Sequence, residues 1–101
     1  MNPATLASEA RVATAVPGRY LQQLCKHFGH KLPARFDARQ GSVEFPTGRC
    51  ELDAEAEPGI LRMRVTAADA EALATLEGVV ARHLERFAFR EKPEILWTRS
   101  R

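Results

Sequence analysis

The stretch YLQQLCKHFGHK, residues 20–31, carries one cysteine, two histidines and two lysines. Imidazoles and thiolates ligate metals and activate nucleophiles, and lysines attract anions, so the first question is which of these groups can act together. On a helix turning about 100° per residue, Tyr20, Leu21, Leu24, Cys25 and Phe28 share one broad arc, while Gln22, Gln23, Lys26 and His30 occupy the opposite side. Cys25 and His27 then point about 160° apart and cannot grip one metal, which leaves Cys25 as a core residue. His27 and His30 are three positions apart, lie within about 60° of each other, and can reach a common ligand. Lys26 and Lys31 flank them. The bland alternative is a solvated helix flank.

A third histidine stands in ADAEALATLEGVVARHLERF, where Leu73, Leu76, Val80, Leu84 and Phe87 form an apolar stripe and His83 lies on its edge near Val79. With both helices on one sheet face, His83 is the candidate third ligand beside His27 and His30, a set that can hold a metal ion with a water in the open position. The competing reading is a satisfied, partly buried imidazole. In HLERFAFRE, Arg86, Arg90 and Glu91 surround Phe87 and Phe89; the aromatics plug the core, and Arg86 and Arg90 offer a place for an anionic group. Gly78 projects away from the stripe and costs roughly 0.5–1 kcal/mol relative to alanine, so a close approach is expected there. Ala70, Ala74 and Ala81 extend it into a small-residue flank suited to the first helix or to a second copy of the chain.

The elements that must position these groups follow from pattern and punctuation. Residues 1–8 read as a loose leader, and one domain spans 9–99, starting with a strand in EARVATAV. Pro17 and Gly18 start the first helix, which Gly29 and Pro33 end. ARFDA, GSVEF, GRCELDA and GILRMRV are short alternating runs separated by RQG, PTG and EAEPG, giving an antiparallel meander. Thr66-Ala67-Ala68-Asp69 has the form of a capping box, placing a long helix from Ala67 to Phe87, and EILWT reads as a last strand. The order is β-α-β-β-β-β-α-β: an α+β two-layer sandwich in which an antiparallel sheet of five to six strands carries two helices on one face. Alternation puts Phe36, Val43, Phe45, Cys50, Leu52, Leu61, Met63 and Val65 on the covered face. Arg35, Asp37, Glu44, Arg49, Glu51, Asp53, Arg62 and Arg64 fall on the wet face, with Arg49, Glu51 and Asp53 across from Arg62 and Arg64.

Composition narrows the function. The 101 residues, 45% of them apolar, can bury one compact core. Fifteen basic residues against thirteen acidic ones give +2, a balance that does not point to nucleic acid, and the wet sheet face lacks the aromatics of an RNA-recognition sheet. No secretory leader or apolar run of membrane length is visible, which places the chain in the cytoplasm and makes Cys25 and Cys50 buried thiols. No phosphate loop, dinucleotide fingerprint, nucleophile elbow or zinc-type cysteine pair occurs, so no cofactor is evident beyond a metal ion at the histidines.

RYLQQLCKHFGHK, LEGVVARHLERFAFRE, the intervening GRCELDA and the terminal Trp97 together resemble the bacterial family catalogued as domain of unknown function 2218, over about Ala10 to Trp97. The positions that carry the likeness are Arg19, Tyr20, Leu24, Lys26, His27, His30 and Lys31, then Gly78, His83, Leu84, Arg86, Phe87 and Glu91. Members are stand-alone proteins or domains attached to siderophore-interacting flavin reductases, so the resemblance implies an accessory role near iron acquisition; it transfers no catalytic residue. The leading expectation is a non-catalytic module that recognises an anionic or metal-chelating small molecule, or a partner protein, through Lys26, His27, His30, Lys31, His83 and Arg86. The alternatives are a metal-dependent enzyme using His27, His30 and His83, and a structural homodimer module built on the Gly78 flank.

Overall fold

The computed structural model describes residues 5–100. Six strands and two helices follow in the expected order: β1 Leu6–Ala13, α1 Pro17–Gly29, β2 Ala34–Phe36, β3 Gln40–Phe45, β4 Gly48–Asp53, β5 Ile60–Ala67, α2 Ala70–Phe87 and β6 Thr98–Ser100. All strand pairs are antiparallel, and the sheet order is β2-β3-β4-β5-β1-β6. Both helices lie on one face, the α+β two-layer arrangement that half-buried alternating strands require.

The covered face is built from Ala10, Val12, Val43, Cys50, Leu52, Leu61, Met63 and Val65. Against them pack Leu21, Leu24, Cys25 and Phe28 of α1 and Leu73, Leu76, Val80 and Leu84 of α2, the stripes that the 3.6-residue period selects. Cys25 and Cys50 are free, buried thiols. Burial with no compensating cation pushes the Cys25 thiol up to about 11 and the Cys50 thiol further still, so neither is a nucleophile at neutral pH.

Several boundaries differ from the pattern. Strand β1 begins at Leu6, because Leu6, Ala7 and Ser8 pair with Ala67, Thr66 and Val65; it takes up three residues of the expected leader, whose residues 1–4 lie outside the described ones. Helix α2 starts at Ala70, not Ala67. Thr66 and Ala67 stay in β5, paired to β1 on one side and β4 on the other, and Asp69 is the N-cap, its carboxylate accepting from the Ala72 N–H at 2.8 Å. Only Thr98–Ser100 of the last segment joins the sheet, while Leu96 is exposed. Phe36, expected in the core, is 38% exposed because β2 is a three-residue edge strand that α1 covers incompletely. The turn expected at RQG sits earlier, where the Asp37 carboxylate accepts from the Arg39 and Gln40 N–H groups.

Two glycines have opposite roles. At Gly48 a Cβ would run into the Thr66 carbonyl and lie 2.7 Å from Leu76 Cδ1, so glycine is required for β4 to pass under α2 beside β5. At Gly78 a Cβ would meet only the guanidinium end of Arg82, 2.9 Å away and free to swing. The expected close approach to Gly78 is therefore absent among the described residues.

Candidate functional site

Helix α1 buries Leu24 and Phe28 and so turns His27 toward α2; α2 buries Val80 and Leu84 and so turns His83 toward α1. The two imidazoles meet with ring centroids 4.7 Å apart and planes tilted by 46°. Phe28 lies 4.8 Å from His83 and packs edge-on against Phe45, while Phe87 meets His27 edge-on at 5.8 Å. The seam between the helices is thus lined by three phenylalanines and two histidines, apolar below and open above.

His83 is half-buried, and its Nδ1 lies 2.7 Å from the Val79 carbonyl one turn earlier. A carbonyl only accepts, so Nδ1 carries a proton, and in the neutral ring Nε2 is left with the lone pair. His27 is exposed. Its pKa is held below the ordinary 6.5 by partial loss of water in the seam and by positive charge on His83, Arg86 and His30. No carboxylate is among the groups that set it. The seam is an electropositive strip with a ring nitrogen that protonates only when a negative charge arrives or the pH falls.

The other expected residues fall around this pair. Lys26 on α1, His30 and Lys31 just past its end, and Arg86 on α2 are exposed, and the described residues offer none of them an ion-pair partner. His30, at the C-cap of α1, influences His27 through its charge but makes no ring contact with His27 or His83. Among the described residues no three His, Cys, Asp or Glu side chains are grouped so as to hold a metal ion. The trio His27, His30 and His83 does not fit a closed or three-ligand metal centre; two imidazoles in contact are what the fold supplies.

Glu91 belongs to a different arrangement from the one its neighbours in HLERFAFRE suggest. Its carboxylate accepts from Thr14 Oγ1 at 2.8 Å and from the Ala15 N–H at 3.4 Å. The neighbouring Tyr20 hydroxyl helps hold the glutamate pKa down, and the glutamate in turn raises that of the tyrosine. This contact ties the segment after α2 to the start of α1. Pattern alone offers no signal for it, because the partners are separated by more than seventy residues of chain.

A more pronounced hollow lies elsewhere. On the open face of the sheet, a trough of about 560 Å³ runs between β2 and β5, with Arg35, Ser42, Glu51 and Arg64 among its walls. A smaller hollow of about 310 Å³ lies past the end of α2 between Glu85, Phe89, Lys92 and Pro93. Neither includes the imidazole pair.

Comparison with known proteins agrees with the fold. The solution NMR structure of PA4090 from Pseudomonas aeruginosa is 36% identical and superimposes with a TM-score of 0.76, covering 92% of this chain and 95% of that one. No curated protein matches the chain. Residues 9–98 match the model of a family described as an uncharacterized protein conserved in bacteria, DUF2218, and the chain belongs to that family.

Proposed function

We propose that the chain is a non-catalytic binding module that receives an anionic small molecule, metal chelates included, on the seam between α1 and α2. His27 and His83 form the centre of the site; Arg86, Lys26, His30 and Lys31 supply the surrounding positive charge. The observation that carries this reading is the contact of His27 with His83 at 4.7 Å, beside the basic groups His83, Arg86 and His30 that hold the His27 pKa down. An arriving anion replaces the missing carboxylate and makes protonation of His27 favourable, so binding takes up a proton and strengthens as the pH falls toward 6. The hydrogen bonds of the described residues place no nucleophile on either imidazole, which favours binding over hydrolysis.

Ring signals of His27, His30 and His83, followed by NMR during titration with citrate, phosphate and ferric citrate, test the proposal. The expected result is saturable movement of His27 and His83 together with a rise in the His27 pKa. Ring signals that stay put with all three probes overturn it. A larger response to ferric citrate than to citrate would favour a metal chelate as the ligand and support the link to iron acquisition that the family resemblance implies.

A further inference from the structure

The open sheet face carries a hollow of its own, away from the helix seam. One row of residues crosses four strands: Arg35 on β2 faces Ser42 on β3, Ser42 faces Glu51 on β4, and Glu51 faces Arg64 on β5. All four line the 560 Å³ trough, a volume within the usual range of small-molecule sites.

Most charges near this row are already committed. The Asp37 carboxylate accepts from the Arg39 and Gln40 N–H groups, that of Asp53 from the Glu55 and Ala56 N–H groups, and Arg62 leans toward Glu9 at 3.7 Å. Arg35, Glu51 and Arg64 take part in no ion pair among the described residues. What remains to meet a ligand is a guanidinium, a hydroxyl, a carboxylate and a second guanidinium, in that order. Such a row rejects a polyanion, because Glu51 stands in its middle, and suits a ligand that bears both signs of charge. Strands are about 4.8 Å apart, so Arg35 and Glu51 are separated by about 10 Å at the backbone. The ammonium and carboxylate of a free amino acid, about 3 Å apart, cannot reach both, whereas an extended chain of about two to three residues can.

We propose that the trough binds a short zwitterionic peptide of about two to three residues, its carboxylate on Arg35 and Ser42 and its ammonium on Glu51. The short side chain of Ser42 leaves room in the row for the peptide backbone.

Backbone amide NMR during titration with trialanine, N-acetyl-trialanine and trialanine amide tests this. Trialanine should move Gly41, Ser42, Glu51 and Arg64 saturably, and capping either end should weaken binding about tenfold. Arg35→Ala should make the free acid and the amide bind alike, and Glu51→Gln should do the same for the free and acetylated amines; both sites are exposed, and an unchanged spectrum elsewhere reports an intact fold. Equal binding of capped and uncapped peptides in the intact protein overturns the proposal. So does movement confined to His27 and His83, or no movement at all. A response of the seam to citrate with no response of the trough to trialanine would overturn this proposal and leave the one for the helices standing.

Discussion

The two faces of the sheet handle charge in opposite ways. On the open face acids stand beside bases: register sets Arg49 against Glu44 at 2.6 Å and Glu51 and Asp53 opposite Arg64 and Arg62, and the loop before β5 brings Glu57 to Arg11. On the helical face, the imidazole pair sits beside Arg86 and His30, whose positive charge holds the His27 pKa down. Exposed pairs of the first kind add little stability each, because water screens them and long side chains lose freedom in making them. The second kind is slightly unfavourable in the free protein, and that uncompensated charge is what an anionic ligand would relieve. The contrast separates a face whose charges are matched across strands from a seam where positive charge surrounds an imidazole pair.

The strongest way to break this contrast is to remove the aromatic wall of the seam. Phe28→Ala should cost about 3 kcal/mol and erase the ring-current shift on His83, read by urea unfolding and proton NMR. Full retention of the His83 shift would show that Phe28 does not shape the seam. Next in size is the far end of the helical face, where Thr14 joins Glu91 to the start of α1. Thr14→Val should cost about 1–2 kcal/mol in the same assay, because the Glu91 carboxylate and the Val16 N–H both lose a partner.

Acid should act on the two faces in separate windows. The folded pKa of His27 lies below its free value of 6.5, so the unfolded chain takes the proton first; stability falls as pH drops through 6.5 and levels off below the folded pKa. Carboxylates of the open face, among them Asp37, Asp53 and Glu57, have folded values below their free ones of 3.8 to 4.5. Their contribution is complete above those free values and is lost at lower pH. His27→Gln should flatten only the upper limb of a stability profile measured from pH 7.5 down to about pH 3. The smallest effect is expected at Arg49→Ala, which should leave the urea midpoint unchanged within error despite its short contact with Glu44.

Much of this arrangement was legible in the sequence. Alternation placed the strands and both faces, and helical periodicity turned Cys25 inward while leaving His27 and His83 free to meet. The failures have local causes. Thr66 and Asp69 both look like N-caps, and only the pairing of Ala67 with Leu6 and Gly48 decides that the strand continues past Thr66. EILWT has strand composition, yet β6 pairs with β1 for three residues. Phe36 reads as a core residue but sits where the sheet runs out. At the candidate site, the partnership of His27 with His83 depends on two helices sharing a face, which the element order implies. The exclusion of His30 from the ring contacts and the reach of Glu91 to Thr14 depend on how α1 and α2 pack, and no local pattern encodes that.

The position of β1 inside the sheet bears on how the chain is made. It is the first strand to emerge during synthesis, but its neighbours are β5, roughly fifty residues downstream, and β6, at the very end of the described chain. The β2-β3-β4-β5 meander can zip through short loops while β1 waits. Closing β1 onto β5 therefore carries the largest loop entropy and is expected to limit the folding rate. Until it closes, Val12 and Ala10 remain available to other chains, so the interval before β5 leaves the ribosome is when this domain is most prone to aggregate.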